Sequence, residues 1–181
     1  MIHKLSLYVV MIAVAALLQL GFGGDLSALF ARRPLPADGP VVDIALGVAV
    51  GLLAVLLSRL GTARFDWSRR IDAEFRDLLG PLEPREIFGL AIASALAEEM
   101  FFRGFLQPLI GLEASAVVFG AAHVPWRRSL IAWTFAALAM GYVLGWMFEA
   151  RGNLIAPVLA HFTVNYFNLH ALVRPLAHEA P

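Results

Sequence analysis

The sequence predicts an all-α fold, a polytopic transmembrane helical bundle of about six spans with one interfacial amphipathic helix. Three observations carry that expectation. Of the 181 residues 60% are hydrophobic, with a mean hydropathy of +0.74, far above the roughly 45–50% apolar share of a soluble domain. The apolar residues fall into six runs, most of them near the ~20 residues that cross ~30 Å of hydrocarbon as a helix. Between the second and third runs lies a polar stretch whose few apolar residues recur at helical spacing.

The first span is expected over Leu5 to Gly24, after His3 and Lys4. Its basic start is that of a secretory signal, but no A-x-A cleavage pattern follows, so an uncleaved span is the reading. Asp25 to Pro40 carries Arg32, Arg33, Pro34, Pro36 and Pro40, a loop composition. The second span, Val41 to Leu60, completes an N-terminal pair over residues 1–60. Residues 61–85 form the polar middle, in which Ile71, Phe75, Leu78 and Leu79 stand at i, i+4, i+7 and i+8. This predicts a cytoplasmic interfacial helix anchored by Phe65 and Trp67. Pro81 and Pro84 end it, and Pro84 suits the first position of the next helix.

Residues 86–172 hold the remaining runs. The third span, Ile87 to Ile110, is expected to kink near Gly104 and Pro108. The fourth, Leu112 to Val124, is too short to cross ~30 Å of hydrocarbon upright, and Pro125, Trp126, Arg127 and Arg128 close it at an interface. The fifth runs from Leu130 to Glu149. Arg151-Gly152-Asn153 turns the chain into the sixth, Leu154 to Leu172. With the N-terminus inside, the inner side receives Lys4, Arg59, Arg64, Arg69, Arg70, Arg76, Arg85, Arg127, Arg128 and Arg174, and the outer side Arg32, Arg33 and Arg151. That bias places both termini in the cytoplasm, provided all six runs cross.

The length makes residues 1–181 a single integral membrane domain, with no room for a second sizeable unit. Fourteen Lys+Arg against fourteen Asp+Glu leave no net charge, so nothing in the composition points to nucleic acid. The chain has no cysteine, which excludes disulfides, a thiol nucleophile and a thiolate metal site.

Three charges stand inside the third run: Glu98, Glu99 and Arg103. A charge at the bilayer centre costs roughly 2.5–3.5 kcal/mol on insertion scales, so it persists mainly where it is paired or used. Glu99 and Arg103 are i,i+4 neighbours with the acid first, the favourable order for a pair. Glu98 points elsewhere and is left free. Phe119 with His123, and His161 with Asn165, are further i,i+4 pairs on apolar helices. Polar side chains in lipid turn towards one another or towards water, so these groups are expected to share one cavity.

A glutamate beside a histidine can take a proton from a water that attacks a carbonyl, with a second His and an Asn donating to the oxyanion. Glu98, His123 and His161 could instead ligate zinc, as a His₂Glu set with an open water position, although the sequence has no H-E-x-x-H. A purely structural role, holding helices together, is the third reading of the charges.

Glu98-Glu99-x-x-x-Arg103, then Phe119-x-x-x-His123, then His161-x-x-x-Asn165, in that order on three successive hydrophobic segments, resembles the three motifs of the CAAX protease and bacteriocin-processing (CPBP, or Abi) family of intramembrane proteases. That family is related to the endopeptidase that trims prenylated CAAX proteins. The resemblance covers about Glu86 to Leu172 and makes residues 86–172 the catalytic core spans. It implies that Glu98 is the catalytic carboxylate, that His123 helps it activate water, and that His161 and Asn165 stabilise the oxyanion or complete the site. Glu99, Arg103 and Phe119 become supporting residues.

The resulting expectation is a bacterial inner-membrane peptidase that needs no cofactor, with zinc as the variant. Its substrate would be a membrane-anchored protein or peptide presented in the bilayer. Two other classes compete: a non-catalytic immunity or partner-binding protein, and a proton or ion carrier.

Overall fold

The computed structural model describes residues 2–124 and 127–173, and the described residues are helical throughout, apart from turns and one isolated β-bridge. Pro125, Trp126 and Arg174 lie outside the described residues.

Helix α1 (Ile2–Gly21) leads through a single 3₁₀ turn (Leu26–Leu29) and the proline-bearing loop to α2 (Pro40–Arg64). Asp25 caps the 3₁₀ turn by accepting from the Ser27 amide at 2.7 Å. At about 1.5 Å per residue α2 is about 37 Å long, and it absorbs Gly61 to Arg64, which the sequence placed in the polar middle. The amphipathic helix α3 (Asp66–Leu79) follows at once and ends at Gly80, whose φ of 63° lies in the left-handed region. Ile71 is its buried residue, while Phe65, Trp67 and Leu78 are exposed.

Helix α4 (Pro84–Glu99) begins with Pro84 in its first turn and a capping box between Glu83 and Glu86. It runs on into a π-helical turn (Met100–Leu106) and α5 (Gln107–Ile110). The expected kink near Gly104 and Pro108 is thus taken up as a widened turn, the commoner device at functional sites. Gly104 is needed there, because a Cβ would stand 2.3 Å from the carbonyl oxygen of Leu29. Then come α6 (Leu112–Ala122), a 3₁₀ turn (Arg128–Leu130), α7 (Ile131–Arg151) and α8 (Ile155–Val173).

Among the described residues two helices, α2 and α7, are both long and apolar enough to cross a membrane, with mean hydropathies of 2.5 and 1.6. Of the six expected spans, two meet that test of length and composition. Helix α6 covers only about 16 Å, and α4, 16 residues long, ends on Glu98 and Glu99.

Helix α8 is the hub, packed against α2, α4 and α7, while α6 lies along α7 and α1 along α4. Small residues permit the closest approach: Gly47 and Gly51 of α2 face the backbone of Ala156 and Ala160 on α8. At the junction of α2 with the α7–α8 turn sits a buried carboxylate that the sequence did not flag. Asp43 is fully buried, paired with Arg151 through one oxygen and receiving the Asn153 amide at 3.0 Å through the other. Gly152, at φ 69°, makes the turn that brings Arg151 and Asn153 to it.

Candidate functional site

Glu98 lies in the last turn of α4, where the helix stack brings α6 and α8 alongside. Its Oε2 stands 3.6 Å from His123 Nε2 and 3.9 Å from His161 Nε2, and this oxygen is buried without a hydrogen-bond partner. Both gaps lie just beyond direct hydrogen bonding. Each imidazole is oriented through its other nitrogen. His123 Nδ1 donates to the Phe119 carbonyl oxygen at 2.7 Å, and His161 Nδ1 donates to Glu99 Oε1 at 2.7 Å. With Nδ1 carrying a proton in both rings, the Nε2 atoms are what face Glu98.

His123 is held just outside α6, whose last helical residue is Ala122. The Thr134 hydroxyl donates to the His123 carbonyl at 2.9 Å, and the ring lies 4.5 Å from Phe119 and 4.9 Å from Trp133. Trp133 in turn meets Phe75 of α3 edge-on at 5.0 Å. Helix α3 thereby reaches the site through two aromatic contacts, and Arg127 with Glu74, 3.6 Å apart, adds a second tie.

Glu99 and Arg103 are 0% and 1% exposed. Arg103 donates to Glu99 Oε1 at 2.9 Å and to the Gly141 carbonyl at 3.1 Å, and its guanidinium lies 4.4 Å from the Phe119 ring centre. Phe119 is therefore a cation–π partner of Arg103 as well as a wall beside both imidazoles. Glu99 binds His161 in addition to Arg103, a contact the i,i+4 argument did not anticipate.

Asn165 is brought to the edge of this group. Its side-chain amide donates to Ser94 Oγ at 2.9 Å. Ser94 is buried one turn before Glu98, and Tyr8 of α1 approaches both. Sequence reasoning missed Ser94, Tyr8, Trp133 and Thr134. The i,i+4 relation of Ser94 to Glu98 was a usable signal. Tyr8, Trp133 and Thr134 approach from other helices and left none. Among the described residues no three His, Cys, Asp or Glu side chains are assembled as a metal-binding group.

Residues 82–167 match the family model described as type II CAAX prenyl endopeptidase, Rce1-like. The matched stretch contains every motif residue named above, and the match agrees with the resemblance to the CPBP proteases, a membrane-integral family of hydrolases. The chain is also similar to the uncharacterized protein YpbD of Bacillus subtilis (strain 168), at 42% identity over 84 residues. The alignment takes in 45% of this chain and 42% of that relative, so the chain spans less than half the relative's length. No solved structure matches the chain. Helices α1, α2 and α3 precede the matched stretch, yet Tyr8 and Phe75 connect two of them to its polar centre.

Proposed function

We propose that the chain is an intramembrane endopeptidase in which Glu98 activates water. The observation that carries this reading is the buried, unpartnered Oε2 of Glu98 between two imidazole Nε2 atoms. A water bridging Glu98 and His123 donates one hydrogen to each and keeps its lone pairs for a substrate carbonyl. As the C–O bond forms, the water's proton passes to Glu98. When the C–N bond breaks, Glu98 returns that proton to the leaving amine. No covalent enzyme intermediate is required.

The oxyanion is met by His161 Nε2 and by the second N–H of Asn165, whose first is used on Ser94. For His161 to donate from Nε2 while Nδ1 serves Glu99, it must carry both ring protons. Two carboxylates, Glu98 and Glu99, are then balanced by two cations, Arg103 and His161, an arrangement that suits a buried site. The substrate class is a membrane-anchored protein or peptide presented in the bilayer. The chain is placed in a bacterial inner membrane with six crossings and both termini cytoplasmic, which puts α3 at the cytoplasmic surface.

One observation favours a second reading of the same hydrolysis. The Nδ1 commitments leave two Nε2 lone pairs and a carboxylate oxygen converging, with Glu99 behind His161 as an outer partner of the kind zinc sites use. Glu98, His123 and His161 would hold the ion, which would supply an acidified water. Metal analysis of active purified protein separates the readings, the glutamate form predicting full turnover at substoichiometric zinc.

The test of the function itself compares membrane-protein termini in cells carrying the native chain and Glu98→Gln. New termini that depend on Glu98 are expected. Identical termini in both cell types would remove the protease assignment and leave a binding or carrier protein.

A further inference from the structure

Three successive residues of α3 reach three different pieces of the chain around the site. The Glu74 carboxylate lies 3.6 Å from Arg127, in the segment that joins α6 to α7. The Phe75 ring meets Trp133, in the first turn of α7, edge-on at 5.0 Å. Arg76 Nε donates at 2.8 Å to the Leu172 carbonyl in the last turn of α8, where helix carbonyls have no partner within their own helix.

The middle contact bears on His123. This residue follows the last helical residue of α6, and α6 gives its ring two restraints: the Nδ1 bond to the Phe119 carbonyl, and the Phe119 ring at 4.5 Å. One hydrogen bond at Nδ1 leaves the imidazole free to pivot about that contact, a motion that would swing Nε2 away from Glu98. The further restraint comes from two successive residues of α7. The half-buried Trp133 stands 4.9 Å from the imidazole with the ring planes at 69°, and the Thr134 hydroxyl holds the His123 carbonyl at 2.9 Å. Edge-to-face aromatic pairs are directional, so the chain Phe75–Trp133–His123 constrains the tilt of the imidazole as well as its distance.

We infer that Trp133 and, through it, Phe75 are positioning residues that keep His123 Nε2 turned towards Glu98, so that α3 sets the geometry of the site from outside residues 82–167. The inference rests on the reading of Glu98 and His123 as the couple that activates water. Neither aromatic side chain can take the water's proton. Their contribution is to the chemical step, where a displacement of about 1 Å can cost about 10²-fold.

The experiment reads the imidazole C–H resonances of the full chain, histidine-labelled and in detergent, with those of His123 assigned by their loss in His123→Gln. Beside it, kcat and KM are measured on a quenched fluorogenic peptide built on a Glu98-dependent terminus. Phe75→Leu should move the His123 resonances, leave those of His161 in place, and lower kcat about tenfold with KM unchanged. Trp133→Leu should do the same to a larger extent, and Trp133→Phe, which keeps an aromatic edge against the imidazole, should recover most of the loss. In a His123→Gln background Phe75→Leu should cost no further turnover, since positions acting through one group are not additive. A packing role alone would lower the unfolding temperature of Phe75→Leu while leaving its His123 resonances and its kcat when folded at native values, and that result would overturn the proposal. A loss carried by KM, or a full further loss in the His123→Gln background, would do so too. The resonances are read without turnover, so the two failures are distinguishable: no Glu98-dependent cleavage by the native chain defeats the protease reading, and unmoved His123 resonances in Phe75→Leu defeat this one.

Discussion

Two buried clusters in this molecule each set arginine against carboxylates, one around Arg103 and one around Arg151, and they differ in what is left over. Around Arg151 the account closes. Asp43 uses one oxygen on Arg151 and the other on Asn153, and Asp38 takes two further bonds from the same guanidinium at 3.0 and 2.6 Å. Around Arg103 it does not. Glu99 is engaged by Arg103 and His161 through Oε1 alone, its Oε2 is buried without a partner, and so is Glu98 Oε2, which stands in front of two imidazoles. A saturated cluster fastens elements together, here α2 to the α7–α8 turn. An unsaturated one holds a group ready for something that is not part of the chain.

The comparison can be broken by substitution. The largest effect is expected at Glu98, where Glu98→Gln keeps the volume and removes the base. Turnover of a membrane substrate should fall about 10²–10⁴-fold, the range for loss of general acid–base catalysis, with thermal unfolding unchanged. Next comes Arg103→Met, which takes from Glu99 one of its two partners and leaves it with His161 alone. It should cost about 3–5 kcal/mol, read as a large drop in unfolding temperature and folded yield. A variant that unfolds like the native chain would show that Glu99 does not depend on Arg103.

The smallest effect lies at the rim of the saturated cluster. Hydrogen bonds from Arg151 hold the Asp38 carboxyl below the usual carboxylate range. A carboxyl depressed in the folded state contributes stability above its unfolded value of about 3.9, and that contribution fades as pH falls through the folded value. Asp38→Asn should therefore lower the unfolding temperature slightly at neutral pH and flatten its decline below about pH 4. An acid profile identical to the native one would show that the pair adds nothing.

What the sequence disclosed follows from what each residue needed. Glu98, Glu99, Arg103, Phe119, His123, His161 and Asn165 were visible because charge and imidazole stand out against apolar helices, and i,i+4 spacing assigned their faces. The bond from His161 to Glu99 was not visible, since it depends on how α8 meets α4. Nor was the π-helical turn, which arises where Gly104 must admit the Leu29 backbone. Asp43 escaped notice because one acidic residue in the first turn of a helix is ordinary, and only the return of Arg151 buries it. Ser94 and Tyr8 are unremarkable in sequence and matter through Asn165 and Glu98. The helical class was legible throughout, and two of the expected spans, α2 and α7, have the length and composition to cross a membrane.

The most direct test measures thermal unfolding and substrate cleavage on the same preparations of Glu98→Gln and Asp43→Asn. Glu98→Gln should unfold like the native chain and lose cleavage about 10²–10⁴-fold, whereas Asp43→Asn should unfold at clearly lower temperature and, while folded, still cleave. Native-level cleavage by Glu98→Gln, or destabilisation of it to the level of Asp43→Asn, would contradict the assignment of the unpaired carboxylate to chemistry.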